Sequence, residues 1–367
     1  MQTDERWMLE CFNLAKLGAG SVSPNPLVGA VIVKNGKKIS EGYHQLYGGP
    51  HAEMNAINQA FLKKKKIVGA TLYVNLEPCF HFGKTPPCVD AILEHGISRV
   101  VIATQDPNPL VAGKGLRKLK RNGVECSIGI LQHDAERLNE KFFTFMNERM
   151  PFVALKAAQT SDGFIARPDG TSKWITNDQS RKYVHQLRSE YDAVIVGANT
   201  ILKDDPELTV RSVKGRNPIR VVIDGKLSLE LNKKVFNTKA PTIIYTTKKQ
   251  SVNERNKINR FEENGIIVVQ MDDQKGIIKI KDVVKDLGKR HITSVIVEGG
   301  QKLFSAFLNA GVVDKLYLFT AKKKYGVGLK TFDNISKPIT LLKLDQMKYG
   351  TDILEEFYIR KTEKTSR

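Results

Sequence analysis

LEPCFHFGKTPPC (residues 76–88) sets two cysteines, Cys79 and Cys88, in one loop with eight residues between them. Taken alone, they read most simply as two unrelated buried thiols, because free cysteine is among the most buried residue types. A second stretch changes that reading. GGPHAEMNAI (48–57) places His51 and Glu53 at the start of a predicted helix, directly after Pro50. A catalytic zinc site takes three protein ligands and keeps a fourth tetrahedral position open to water. His51, Cys79 and Cys88 would supply those ligands. Glu53, two residues from the histidine, could reach the water without ligating. Singly, His51 could be a helix cap and Glu53 a surface acid; jointly, with Pro78 before Cys79, they read as one zinc site per chain.

Outward from this core, residues 1–147 alternate helix and strand patterns. A helix is expected over 4–18. LVGAVIVK and KISEGY read as two strands around Asn35-Gly36, a strong hairpin signal. Then come a helix at 51–62, the strand ATLYVNL, a helix near 87–95, the strand RVVIA, a helix near 114–122, the strand VECSIG and a helix at 133–147. One hairpin followed by strand–helix repeats implies a mixed sheet, parallel in its second half, with helices on both faces. Around NERMPF the pattern restarts at Pro151, so the second domain is taken as 148–367. DAVIVG, IRVVID, TIIYTT, IIVVQ, SVIVEGG and KLYLFT are its strands after FVALKAAQ, with helices near 178–189, 278–288 and 301–310. This is a second α/β sheet with its own core.

Composition fits two globular domains, with 41% apolar and 26% charged residues over 367 positions. The N-terminus, MQTDERWMLE, has no apolar signal region, and no run approaches a membrane span. Four cysteines are too few for a disulfide scaffold, which points to the cytoplasm. A net charge of +19 invites a nucleic-acid reading, but the lysines are scattered. A solvated Lys-rich surface is the plainer account, and a positive field would also serve a phosphorylated small substrate.

The histidine, glutamate and cysteines form H-x-E…P-C…C, the arrangement with which zinc deaminases attack a ring carbon bearing an amine. Nucleotide and tRNA deaminases usually space the cysteines as P-C-x-x-C. The longer gap here, with PNPLVGAVIV (24–33), GYHQLYGGPHAE (42–53) and QDPNPLVAGKG (105–115), resembles the bifunctional riboflavin-biosynthesis deaminase–reductases. The resemblance implies a cytidine-deaminase-like first domain whose Cys–Cys loop contacts a phosphoribosylated pyrimidine through His81, Lys84 and Thr85. It gives Glu53 the role of general acid–base. Asn25 would hydrogen-bond the base or serve as a turn residue between two prolines. His44 would bind substrate or satisfy a strand end. Phe80 departs from the family pattern, where a small Ser is expected.

In the second half, VEGGQKL (297–303) offers a glycine pair between strand and helix. Alone it is either a close approach to a pyrophosphate or a plain turn. There is no GxGxxG after the first strand, so a Rossmann reading is weak. LKAAQTSDGFIA (155–166), GTSKWIT (170–176), ILKDDPELTVR (201–211) and PIRVVID (218–224) resemble the reductase half of the same family, whose fold is similar to dihydrofolate reductase. That implies NADPH, with Ala158, Trp174, Thr200, Asp204, Gly225 and Gly300 around it. Lys156 and Asp204 are the polar candidates near the chemistry. Ser172, Arg188, Leu208, Arg211 and Glu298 would face the substrate. TIIYTTKK (242–249) could cradle the adenosine 2′-phosphate or be only a polar loop. Phe164 stands where a basic residue is usual, and AKKKYG (321–326) where a Pro and an apolar pair are expected.

The resemblance therefore implies two steps: deamination of 2,5-diamino-6-(5-phosphoribosylamino)pyrimidin-4-one, then NADPH-dependent reduction of its ribosyl chain to ribityl. No nucleic-acid or membrane partner is expected, and the enzyme is expected to be a homo-oligomer. The rival is a tRNA-type deaminase with a basic accessory domain. It is supported by the charge and opposed by the long Cys–Cys loop and the cofactor-type second half.

Overall fold

The computed structural model describes residues 3–80, 86–109, 111–172, 174–274, 276–336 and 338–360. The chain forms two compact units, Met1–Arg149 and Met150–Arg367.

The first unit runs α1 (Thr3–Lys16), β1 (Gly29–Lys34), β2 (Lys37–Tyr43), α2 (Ala52–Leu62), β3 (Thr71–Leu76), α3 (Cys88–Glu94), β4 (Arg99–Thr104), α4 (Lys114–Arg121), β5 (Glu125–Ile128), α5 (Gln132–Leu138) and α6 (Glu140–Glu148). Asn35 and Gly36 both take positive φ, 52° and 70°, as a two-residue hairpin turn requires. The sheet order is β2-β1-β3-β4-β5. β1 is antiparallel to both neighbours, and β3, β4 and β5 are parallel. Successive strand residues face opposite sides. Ile32, Leu72, Val74 and Ile102 pack with Ala56, Ile57 and Ile92 from α2 and α3, while Val31, Tyr73 and Val101 pack with Trp7, Met8 and Phe12 from α1. Helices thus cover both faces.

Gly42 sets how closely α2 approaches β2. A Cβ there would lie 2.4 Å from the Ala56 nitrogen and 2.5 Å from the Ala52 oxygen, so any side chain would push the helix off. That close seat positions the start of α2, where His51 and Glu53 lie. The helix expected over 133–147 is two helices, broken at Asn139 with φ −108° and ψ 22°. The amphipathic pattern runs through the break; the cause lies far away in sequence. The Asn139 side chain accepts from the Leu27 nitrogen at 2.7 Å and donates to the Leu27 oxygen at 2.9 Å.

The second unit opens with β6 (Phe152–Thr160), β7 (Phe164–Ala166), α7 (Asp178–Glu190), β8 (Ala193–Gly197), α8 (Ala198–Asp204), β9 (Ile219–Ile223), β10 (Thr242–Thr247), α9 (Lys248–Asn253), α10 (Arg255–Glu263) and β11 (Ile267–Met271). It continues with β12 (Asp273–Gln274), β13 (Ile277–Ile278), α11 (Ile280–Lys289), β14 (Ser294–Val297), α12 (Gln301–Asn309), β15 (Lys315–Ala321), β16 (Leu329–Lys330), β17 (Thr340–Tyr349) and β18 (Asp352–Arg360). Nine strands form one sheet in the order β11-β10-β9-β8-β14-β6-β15-β18-β17. The run from β11 to β15 is parallel, and β18 and β17 are antiparallel additions at one edge. The parallel strands inside the edge strand β11 are largely buried between two apolar clusters, as parallel sheets require. The β17–β18 hairpin was not read from sequence, and β17 is mostly exposed, so its pattern lacks the apolar alternation that marks a strand.

The turn before Phe164, rather than Phe164 itself, meets AKKKYG, with the Ser161 nitrogen donating to the Lys323 oxygen at 2.9 Å. β7 carries Phe164 and pairs with β16, and Gly328 lies against the Phe164 ring. Asp162 accepts from the Tyr325 and Gly326 nitrogens at 3.0 and 2.8 Å, which holds the end of AKKKYG in place.

Candidate active sites

His51 occupies the N-cap position of α2, yet its side chain makes no capping bond. Instead Nδ1 lies 3.5 Å from Cys79 Sγ and 3.3 Å from Cys88 Sγ. Cys79 follows β3, Cys88 opens α3, and the Cys88 nitrogen donates to Cys79 Sγ at 3.3 Å. All three ligand atoms lie within 4.8 Å of one another. Bond lengths of about 2.0 Å to nitrogen and 2.3 Å to sulfur put tetrahedral N···S edges near 3.5 Å, so the residues present fit a zinc ion. The hydrogen bond between the two thiols, with the histidine nearby, pulls Cys79 well below the usual thiol range. The same bond and burial push Cys88 up. One sulfur is therefore poised as thiolate, the form a metal takes.

Glu53, 3% exposed, sits on the first turn of α2. Burial raises its carboxyl above the usual range, and the nearby His51 charge opposes that. Glu53 lines a cavity of about 270 Å³ together with Asn25, His44, His51 and Cys79. The same cavity is lined by Glu77, Asp106, Asn108, Val111, Phe142 and Met146, which the sequence reading did not assign. QDPNPLVAGKG was the available signal for three of them; Phe142 and Met146 look like ordinary apolar helix positions. His44 Nδ1 lies 3.0 Å from the Pro50 oxygen, an acceptor, so Nδ1 carries the proton. Nε2 is then the acceptor for the Asn25 amide at 3.1 Å. Burial lowers the His44 pKa, consistent with a neutral ring. His81, Lys84 and Thr85 lie outside the described residues. Phe80, the departure, lies beneath the Lys118 ammonium at 5.4 Å.

In the second unit a cavity of about 820 Å³ opens at the carboxyl ends of the parallel strands, where open α/β sheets bind ligands. Lys156 and Ala158 (β6), Thr200 and Asp204 (α8), Gly225 after β9, Glu298 and Gly300 after β14, and Ser172 all line it. Gly300 has no atom within 4 Å of where a Cβ would stand, so its open side faces space rather than protein. Burial lowers the Lys156 pKa, with Glu298 opposing and Arg188 reinforcing.

Four expected residues lie outside that lining. Trp174 is 61% exposed, with the Arg181 guanidinium 4.7 Å above its ring. Leu208 is buried in the core at φ 57°. Arg211 is bonded to Glu207 and Thr209 at 3.1 and 3.2 Å. Arg188 is bonded to Glu298. Thr247 donates to the Gly225 oxygen at 3.0 Å and caps α9, and Lys248 pairs with Asp272 at 2.8 Å. The Thr247 hydroxyl is engaged within the protein, which favours the polar-loop reading of TIIYTTKK, while Lys248 stays at the surface.

Comparison with known proteins agrees with both halves. A family model described as the cytidine and deoxycytidylate deaminase zinc-binding region matches residues 1–104, and one for the RibD C-terminal domain matches residues 151–354. The riboflavin biosynthesis protein RibD of Aquifex aeolicus is 44% identical over 96% of this chain and 98% of its own length. That of Escherichia coli is 38% identical over 91% of this chain and 92% of its own. A Thermotoga maritima structure, described as a diaminohydroxyphosphoribosylaminopyrimidine deaminase/5-amino-6-(5-phosphoribosylamino)uracil reductase, superimposes with TM-score 0.84 at 41% identity. It covers 98% of this chain and 99% of that one. RibD of Acinetobacter baumannii gives TM-score 0.86 at 35% identity with the same coverage.

Fold and matches define the class: a bifunctional enzyme, with a deaminase of the zinc-binding type followed by a reductase. The chain belongs to the RibD family of riboflavin biosynthesis. Its first unit is cytidine-deaminase-like and its second has the family's dihydrofolate-reductase-like fold. A tRNA-type deaminase with a basic accessory domain is not favoured, because relatives match along nearly the whole chain. Among the described residues, no helix is long and apolar enough to cross a membrane.

Proposed function

We propose that residues 1–147 deaminate 2,5-diamino-6-(5-phosphoribosylamino)pyrimidin-4-one hydrolytically, and that residues 148–367 then reduce the ribosyl chain of the product to ribityl with NADPH. The observation that carries the first step is the convergence of His51, Cys79 and Cys88 beside the buried Glu53 in one cavity. A zinc ion held by those three residues would supply the Lewis acidity that makes water nucleophilic near neutral pH. Glu53 takes the proton from that water and delivers protons to the ring nitrogen and the departing ammonia. Asn25, fixed by His44, presents its amide to the base.

The second step is supported by the cleft at the strand ends with its open glycine, Gly300. Lys156, Asp204 and Glu298 line it; in this reading the first two are the polar groups near the chemistry and Glu298 would face the substrate. Trp174, Leu208 and Arg211 would act from the rim or through the loops they brace. Four cysteines in 367 residues, two of them assigned to the zinc ion, are too few for a disulfide scaffold, which supports a reducing, cytoplasmic setting. Incubating the purified chain with the pyrimidine, with and without NADPH, tests the whole reading. Deaminated product should form without NADPH, and ribityl product only with it. Failure of deamination with zinc present, or ribityl product without NADPH, would refute the corresponding half.

A further inference from the structure

Two of the quoted motifs, LEPC and QDPNPLVAGKG, are joined by one side chain. Glu77 is 3% exposed, two residues before Cys79. Its backbone nitrogen donates to the Thr104 oxygen at 3.0 Å, at the end of β4. Its carboxylate accepts from the Gly113 nitrogen at 2.9 Å and the Leu116 nitrogen at 3.0 Å, at the start of α4. Glu77 therefore holds both ends of the connection that supplies Asp106, Asn108 and Val111 to the deaminase cavity. Between those ends the connection is knitted by its own bonds, Val111 and Ala112 nitrogens to the Asn108 oxygen at 2.8 and 2.9 Å. Gly115 permits the approach: a Cβ there would stand 2.3 Å from the Pro78 oxygen. A negative charge at a helix N-terminus is well placed electrostatically; the Thr104 bond belongs to the main chain and continues the β3–β4 pairing, so what the carboxylate adds is the tie at the far end of the connection.

We propose that Glu77 is a positioning residue for deamination, holding the wall formed by Asp106, Asn108 and Val111 in register with the Cys79 segment. This rests on reading the cavity as the deaminase site. Released at Gly113 and Leu116, that wall shifts and substrate binding weakens, whereas Glu53 and the ligand residues keep their places. Loss of binding common to ground and transition state raises KM and spares kcat.

The test uses the full chain with Glu77→Ala and Glu77→Gln, measuring bound zinc, deaminase kcat and KM, and reductase activity as a fold control. Glu77→Ala should raise the deaminase KM about tenfold, with zinc and kcat near parental values. Glu77→Gln keeps one acceptor oxygen and should recover part of the loss. An unchanged KM alongside a lowered melting temperature would make Glu77 a structural brace only and overturn the proposal. Loss of zinc in Glu77→Ala would also overturn it, because the residue would then serve the Cys79 ligand. A parent chain that binds zinc but does not deaminate would overturn the reading of the cavity, and the proposal with it.

Discussion

Arg188 holds Glu298 by two parallel hydrogen bonds, Nε to Oε1 at 2.6 Å and Nη2 to Oε2 at 2.8 Å. The guanidinium comes from the last turn of α7 and the carboxylate from the residue after β14. The pair therefore pins a helix to the sheet beside the reductase cleft. Sequence reasoning places both residues toward substrate, but only Glu298 lines the cavity. Arg188 also reaches the Thr209 oxygen at 3.4 Å. Its role in the geometry is to fix the direction in which Glu298 presents its charge.

Removing one member of such a pair leaves an uncompensated buried charge, which typically costs about 3–5 kcal/mol. Arg188→Met should lower the urea midpoint of the second unit accordingly and abolish most of the reductase activity. Deamination should persist in the same chain. Adding Glu298→Gln to Arg188→Met should restore stability but not reduction. A single variant as stable as the parent would mean that the pair contributes orientation alone.

The same cluster sets two windows of acid sensitivity. Burial, helped by the Arg188 and Arg211 charges, lowers His185 from 6.5 to about 4. The unfolded chain takes up this proton before the folded one does, so stability is full above pH 6.5 and falls with pH down to about 4. For Glu298, burial pushes the carboxyl up, but Arg188, Lys156 and His185 together outweigh it and the net pKa lies below 4.5. That stability is present above pH 4.5 and is lost below it, as the pH falls through the folded value. Melting temperatures from pH 7 to 3 should show both windows. His185→Gln should flatten only the upper one and Glu298→Gln only the lower.

How much was legible in the sequence depended on whether a residue's role was local. His51, Glu53 and the Asn35-Gly36 turn announce themselves because helix starts, ligand types and tight turns are written in neighbouring residues. Gly42 is a plain strand glycine until α2 is laid against it. Asn139 breaks a helix for the sake of Leu27, 112 positions away, and no periodicity records that. Trp174 and Arg188 have the right chemistry for a site, yet burial and partners, which arise only on folding, decide where they act.

Glu53→Gln keeps the size of the side chain and removes its capacity to carry protons. Bound zinc should stay near one per chain, because His51, Cys79 and Cys88 are untouched. Deamination should fall by about 100-fold or more, the scale of general acid–base catalysis. Reduction of substrate deaminated beforehand should be unchanged. Equal loss of both activities would show that the halves do not work separately.

NADPH differs from NADH by a 2′-phosphate, which a selective site meets with positive charge and hydrogen-bond donors. Thr247 is engaged internally by Gly225, and Lys248 pairs at the surface with Asp272. Lys226 lines the cleft instead, on the turn after β9. Asp224 locks that turn, accepting from Ser228 Oγ at 3.1 Å and from the Leu229 nitrogen at 3.0 Å, so the lysine is carried on a fixed backbone. Lys226→Ala should raise the KM for NADPH by about fivefold, the scale of one exposed charge-assisted contact. The KM for NADH should stay nearly unchanged. Thr247→Ala with Lys248→Ala should leave the preference for NADPH as in the parent. The opposite pattern, preference lost in the double variant and kept in Lys226→Ala, would return the phosphate to the end of β10.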